Sequence, residues 1–229
     1  MVAWFGTINW FSLTHHLRET LRMPVFFYHT IEKPAEGIYK EKGSKFLAFA
    51  YPVESEEEIR EKLARLRKLH YDARHHCYAW ITGPDKKQYR AFDDGEPNHS
   101  AGDPILGQLR SKDLTNVLIV VVRYFGGTKL GVGGLISAYK TAAEDALNHA
   151  VLIEKEVFTG FRLHYTYSST PDVMRVVRDL EISILQQDFS DTCSMEGKVP
   201  LRLEEKFIEK ITLMKALGSA VELTMSQMQ

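Results

Sequence analysis

Cysteine is scarce in this sequence of 229 residues. The two cysteines, Cys77 and Cys193, are far apart in the chain and fall in different predicted domains. This pattern argues against a disulfide framework and favours a reducing compartment. We therefore expect a cytoplasmic protein.

Long apolar runs are also missing. The first eleven residues are apolar, but Thr7 and Asn9 interrupt them, and a membrane-spanning helix needs ~20 residues. The same stretch lacks the basic start and the small-residue cleavage site of a signal peptide. The sequence therefore predicts a soluble protein with no membrane partner.

Neither sign of charge dominates. The 29 basic and 30 acidic side chains give a formal net charge of −1. Affinity for phosphate backbones comes largely from Lys and Arg, so this balance argues against a protein covered in positive charge. Residues 24–155 carry 19 basic and 18 acidic groups, whereas residues 156–229 carry 8 and 11. Any nucleic-acid site is therefore expected in the earlier segment.

The apolar pattern divides the chain into an N-terminal extension (1–23), a first domain (24–155) and a second domain (156–229). In the first domain it predicts two strands within 37–53, strands over 77–81 and 116–125, and helices over 56–70, 104–109 and 135–149. In the second it predicts strands over 161–165, 182–189, 192–199 and 220–225, and helices over 170–180 and 203–217. The order β-α-β-β-α-β is typical of a ferredoxin-like domain. The predicted class is α+β.

A glycine-rich segment lies between the predicted strand 116–125 and the helix that follows. Glycine permits positive φ and close approach of a ligand, and amides at a helix N-terminus attract anions. Arg123 and Lys129 lie beside it, and Tyr139 and Lys140 would add stacking and charge. We therefore predict a phosphate- or nucleic-acid-binding site. Its residues are Arg123, Gly126, Gly127, Lys129, Gly131, Gly133, Gly134 and Lys140.

A structural interpretation of the same glycines stays open. They would make a tight turn and let the helix pack closely on the sheet. The segment has neither the Walker pattern nor the acidic residue that follows a dinucleotide-binding fingerprint.

Three carboxylates lie within a polar loop over 83–102. Asp93, Asp94 and Glu96 could hold Mg²⁺ beside a phosphate, or they could cap backbone N–H groups and pair with Arg123 or Lys129. We expect structure and ligand positioning rather than catalysis, with the three carboxylates and His75 forming the rim of the site.

A histidine and cysteine cluster precedes this loop. Alternation along a strand places His75 and Cys77 on one face and His76 on the other, so the three cannot bind one ion together. His75 paired with Asp93 or Asp94 would make a general base, but a buried, hydrogen-bonded histidine is commoner. We predict no catalytic residue, no metal site and no cofactor.

The run VVVRYFGGTKLGVGGLISAYKTAAEDAL, residues 120–147, is very similar to the signature segment of the Impact/YigZ family. Residues 42–46, 73–79, 93–97 and 101–106 match the family as well. Residues 98–100, Asn-His-Ser, depart from it, because the family usually has a smaller Gly-Thr pair there. The resemblance covers roughly residues 24–153.

The resemblance implies a first domain like the second domain of ribosomal protein S5, followed by a ferredoxin-like domain. Such a pair is reminiscent of the last domains of elongation factor G, which implies contact with RNA or the ribosome. Eukaryotic relatives regulate a translation-control kinase pathway through an additional N-terminal domain. Only about two dozen residues precede the shared domain here, so that role does not transfer.

The sequence thus favours a non-catalytic binding protein that contacts RNA, the ribosome or translation-associated proteins, with regulation of translation as one role open to it. Two alternatives stay open. One is an enzyme acting on a nucleotide or phosphorylated small molecule, and the other is a regulator that binds only proteins. Nothing in the sequence predicts the oligomeric state.

Overall fold

The computed structural model describes residues 24–190 and 192–226. The predicted N-terminal extension, 1–23, lies outside these residues. The strands are β1 Phe27–Ile31, β2 Ala35–Glu41, β3 Ser44–Pro52, β4 His75–Thr82, β5 Gln88–Phe92, β6 Val117–Tyr124, β7 Leu152–Glu156, β8 Phe158–Tyr165, β9 Ser183–Phe189, β10 Cys193–Pro200 and β11 Val221–Ser226. The longer helices are α1 Glu56–Leu69, α2 Gly102–Ser111, α3 Gly131–Asn148, α4 Thr170–Asp179 and α5 Glu204–Ala216.

The first half of the protein, from β1 to β7, contains a five-stranded antiparallel sheet in the order β2-β3-β6-β4-β5. Its central strand, β6, is the β-branched run of the sequence, and all its residues but Tyr124 are buried. Such a strand must be covered on both faces, as its unbroken apolar pattern predicted.

Helices cover both faces of this sheet. Ile59 and Leu66 of α1 pack on one face with Trp80, Leu118 and Val120. On the other face α2 and α3 pack over the alternate residues of the same strands. The predicted small-residue side of α3 makes this contact, and its buried residues include Leu135, Ala138, Ala142 and Ala146.

Helix α1 begins where the sequence predicted. The Ser55 hydroxyl accepts from the Glu58 amide at 3.2 Å, and the Glu58 carboxylate accepts from the Glu54 amide at 2.7 Å. These bonds satisfy amides that a helix start leaves unpaired.

A two-stranded ribbon joins the two ends of the first half. Strand β1 pairs antiparallel with β7, from Phe27 opposite Glu156 to Ile31 opposite Leu152. Ile31 also enters the main core, where it is almost fully buried.

The second half of the protein, from β8 to β11, contains an antiparallel sheet in the order β11-β8-β10-β9. Helices α4 and α5 pack on one face through residues such as Val173, Val176, Phe207 and Ile211, around Leu163 of β8. None of these residues belongs to the cores of the first half.

The α+β class is confirmed, with the S5 domain 2-like arrangement first and the ferredoxin-like order β-α-β-β-α-β after it. Four elements differ from the prediction. Strands β1 and β7 were not predicted, strand β5 lies within the segment expected to be loop, and α3 begins at Gly131 rather than at residue 135. None of the helices in the described ranges is long and apolar enough to cross a bilayer.

Candidate anion-binding site

The candidate site lies at the end of the sheet where β6 finishes. Arg123 is opposite Phe46 of β3 and opposite His75 of β4. Three neighbouring strands therefore bring these side chains together, and the chain then passes through residues 125–130 into α3.

Gly126 has a structural role. A Cβ atom there would lie 1.9 Å from the carbonyl carbon of Gly43 in the β2–β3 turn. The Gly126 amide donates to the Ser44 hydroxyl at 3.2 Å. The structural interpretation therefore applies at this position, and this amide is already used inside the protein.

At the other glycines of the segment, an added Cβ atom would enter open space or approach Leu130. Gly127 and Gly131 adopt positive φ, +87° and +71°, and a Cβ at either would meet nothing within 4 Å. Gly133 is equally open, whereas a Cβ on Gly134 would lie 3.0 Å from the Leu130 Cβ. Gly131, Gly133 and Gly134 thus form the first turn of α3 rather than a loop before it.

The N-terminus of α3 carries no side-chain cap. The N-cap residue is Leu130, whose side chain cannot accept a hydrogen bond, and the first turn holds no acidic residue. The first amides of a helix have no partner within the helix, and they carry partial positive charge. Gly131, Val132 and Gly133 are exposed, so an anion from solvent can reach them.

Arg123 lies behind this helix end and is buried, with 7% of its side chain exposed. Its Nη1 donates to Glu96 Oε1 at 2.6 Å, and Tyr139 Oη donates to the same oxygen at 2.8 Å. The guanidinium carbon is 5.5 Å from the Phe46 ring centroid and 5.6 Å from that of Phe125. Its Nε is buried and has no hydrogen-bond partner among the described residues.

The acidic loop is used for structure. Asp93 accepts from the amides of His99, Ala101 and Gly102, at 2.8 to 2.9 Å, and so holds the start of α2. Asp94 accepts from the His76 amide at 2.7 Å.

With Glu96 bound to Arg123 and Tyr139, all three carboxylates have protein partners. This agrees with the predicted structural role. No cluster of metal-ligating side chains occurs in the part of the chain that the structure describes.

The histidine and cysteine cluster divides between the two faces of β4, as alternation predicted. His75 Nδ1 is 2.9 Å from the Asp94 carbonyl oxygen, on the side of the candidate site. Cys77 Sγ is 2.9 Å from the Asp93 carbonyl oxygen and 3.3 Å from Tyr139 Oη.

Burial raises the pKa of the Cys77 thiol and lowers that of the His76 imidazole. Since a thiolate is the reactive form, this shift disfavours Cys77 as a nucleophile.

A cavity of about 490 Å³ opens between the acidic loop and the start of α3. It brings together His75, Glu96, Arg123, Lys129 and Gly131 of the predicted site. It also adds residues that the sequence did not single out, Arg74, Pro97, Phe125, Leu130, Val132 and Leu135.

Seven of the predicted site residues are not in the cavity lining: Gly126, Gly127, Gly133, Gly134, Lys140, Asp93 and Asp94. Tyr139 is fully buried and bonded to Glu96, so the predicted stacking on its ring is wrong. Lys140 is exposed further along α3 and does not line the cavity.

Arg74 and Lys129 line the cavity, and two more cations lie at the β2–β3 turn. Lys42 and Lys45 flank Gly43 and Ser44, which contact Gly126. Within residues 24–190 and 192–226, no ion pair is formed by any of these four cations, Lys42, Lys45, Arg74 and Lys129. The surface charge near the cavity is therefore more positive than the neutral total suggests.

Comparison with known proteins identifies the family. Residues 42–147 match the model of the Impact N-terminal domain, a range that includes the whole cavity lining. The IMPACT family member YigZ of Escherichia coli is 31% identical over 180 residues, which cover 78% of this chain and 88% of that protein. The chain belongs to the IMPACT family.

Two further matches extend over most of the chain. The IMPACT family member YvyE of Bacillus subtilis is 30% identical over 185 residues, covering 81% of this chain and 85% of YvyE. A crystal structure described as that of a hypothetical protein superposes with a TM-score of 0.67 at 26% identity, covering 90% of this chain and 99% of that one. The similarity to IMPACT proteins therefore includes the second half of the fold.

Proposed function

We propose that this IMPACT family member binds the phosphate backbone of RNA, free or within the ribosome, at the N-terminus of α3. The phosphate lies against the amides of Gly131, Val132 and Gly133. Lys129 and Arg74 supply charge from the sides, and regulation of translation would act through this contact.

The uncapped, solvent-accessible start of α3 is the observation that carries the proposal. A Ser, Thr, Asp or Asn side chain at the N-cap can satisfy one of the first amides of a helix, and the Leu130 side chain cannot do so. An anion is the natural partner for such a group of donors.

Arg123 gives a second, independent reason. A guanidinium that is 93% buried, as the 7% exposure of its side chain implies, holds positive charge beneath the cavity. Its Nε lacks a hydrogen-bond partner among the described residues, while its Nη1 is paired with Glu96. The Arg123–Glu96 pair therefore holds a structural position beneath the start of α3. Lys129 and Arg74 make the reversible contacts with the phosphate.

Salt-dependent RNA binding tests this proposal. The observed association constant falls with salt in proportion to the number of phosphates neutralised, by roughly 0.7 log units per log unit of salt for each single-strand contact. We expect Arg74→Ala combined with Lys129→Ala to weaken binding and to reduce that slope by about 1.4. Both residues are exposed and form no ion pair within the described ranges, so the fold should be unaffected.

The matched control is Lys206→Ala combined with Lys215→Ala in the second half. These lysines are also exposed and unpaired within the described ranges, and they should leave both quantities unchanged. Equal effects from the two double variants would show nonspecific charge attraction. An unchanged affinity and slope in the Arg74/Lys129 variant would reject the site.

A further inference from the structure

The cavity beside α3 has an apolar wall as well as its cations. Phe125 and Val132 are each 53% exposed, and they line the cavity together with Leu130 and Leu135. Exposed apolar side chains grouped beside charges mark a binding surface more often than scattered ones do. The ligand should therefore have an apolar part besides its negative charge.

Phe125 is placed for stacking. The Arg123 guanidinium carbon lies 5.6 Å from its ring centroid, which helps to fix the ring beside the cavity. About half of the Phe125 surface is exposed to solvent. A planar group that enters the cavity can stack there, and nucleic-acid bases stack on aromatic side chains in this way.

The volume of about 490 Å³ falls within the range of roughly 300–1,000 Å³ that small-molecule sites occupy. One base with its sugar and phosphate is of this size. A base inside a duplex is covered on both faces by its neighbours, so only an unpaired base can enter.

Resting on the phosphate site proposed above, we propose that the cavity takes an unpaired base of single-stranded RNA. The base stacks on Phe125, and its adjoining phosphate lies on the first amides of α3. Duplex RNA would keep the backbone contact and lose the stacking contact.

Fluorescence anisotropy on the full chain tests this, with a labelled single-stranded 12-mer and the same strand annealed to its complement. We expect Phe125→Ala to weaken single-strand binding roughly 5- to 150-fold, the range for one stacked base, and to leave duplex binding nearly unchanged. Phe125→Leu keeps an apolar cover over Arg123 but has no aromatic face, so it should show most of the same loss. Phe189→Ala, which removes a comparably exposed ring in β9, is the control and should bind normally.

The outcomes separate the two proposals. If Phe125→Ala and Phe125→Leu bind the single strand normally while Arg74→Ala/Lys129→Ala does not, stacking is wrong and the phosphate site stands. If the wild-type protein binds neither RNA, the phosphate site itself is wrong. Uridine monophosphate is the competitor that tests for a free nucleotide, and Phe125-dependent binding as tight as that of the 12-mer would overturn the assignment to a strand.

Discussion

Arg123 and Glu96 form an ion pair inside the first half of the protein, with Nη1 2.6 Å from Oε1 and only 7% and 4% of the side chains exposed. Glu96 comes from the acidic loop and Arg123 from the central strand, so the pair ties that loop to the sheet. Tyr139 of α3 adds a third element through its bond to the same carboxylate oxygen. The wall of the candidate site therefore depends on one buried polar group of three residues.

Arg123→Ala should destabilise the protein by about 3–5 kcal/mol, because it leaves the Glu96 carboxylate buried without its charge partner. Urea denaturation measures the change. Arg60→Ala, which breaks exposed pairs with Glu56 and Glu57, is the comparison and should cost about 0–1 kcal/mol. Arg123→Met combined with Glu96→Gln should recover part of the loss, and a loss below 1 kcal/mol for Arg123→Ala would contradict this account.

Gly133→Asp separates anion binding from stability. The position is open, and an acidic side chain in the first turn of a helix is worth about 0.3–1 kcal/mol through its interaction with the helix dipole. We expect the melting temperature to stay level or rise while RNA affinity falls, since the carboxylate occupies the place of a phosphate.

Gly107→Asp is the matched control, because Gly107 is an exposed, open helix position that does not line the cavity. It should leave RNA binding unchanged. Normal RNA binding by Gly133→Asp would remove the first turn of α3 from the site.

Gly126→Ala should be destabilising by about 1–3 kcal/mol, the range for adding atoms to a closely packed position. The new Cβ would lie 1.9 Å from the Gly43 carbonyl carbon, so one of the two turns must move. Gly133→Ala adds the same atom in open space and should be neutral or stabilising. Thermal unfolding of the two variants side by side tests the prediction, and equal melting temperatures would refute it.

The stability of the fold should decrease on both sides of neutral pH, which gives its pH profile an acid limb and an alkaline limb. Burial lowers the pKa of His76 below 6.5, so the unfolded chain takes up that proton more readily and stability falls as the pH drops through this region. Burial raises the pKa of the Cys77 thiol above 9.0, so its contribution is present below that value and is lost as the pH rises beyond it.

Urea midpoints measured from pH 5 to 10 should therefore pass through a maximum. His76→Asn, which does not titrate, should flatten the acid limb, and Cys77→Ala should flatten the alkaline one. An unchanged acid limb in His76→Asn would show that other groups cause it.

The sequence predicted those elements whose own residues determine them. The β-branched run of β6 and the helical spacing in α1 and α5 are local signals, and the structure contains all three elements. Strand β5 has no such signal, because Gln88–Phe92 lies at the sheet edge, pairs only with β4 and is mostly exposed. Strands β1 and β7 are equally hard to predict, since each is short and its partner is more than a hundred residues away.

The candidate site shows the same division between features with a local sequence signal and features that depend on tertiary contacts. The glycines and Lys129 of the candidate site could be recognised from composition and order. The burial of Arg123 could not, because its partner Glu96 lies 27 residues earlier in a loop whose path depends on tertiary contacts. The early start of α3 was missed because glycine is a poor helix former and Leu130 gives no capping signal.

The ribbon of β1 and β7 has a practical consequence for the design of truncated forms of this protein. The family model spans residues 42–147, which omits both strands, yet Ile31 of β1 completes the main core and Val157 still donates to the Phe26 carbonyl at 2.8 Å. A fragment trimmed to the residues that the family model matches would expose that core and lose every backbone bond of the ribbon. An expression clone meant to isolate the half that holds the candidate site should therefore begin before Phe26 and continue past Val157.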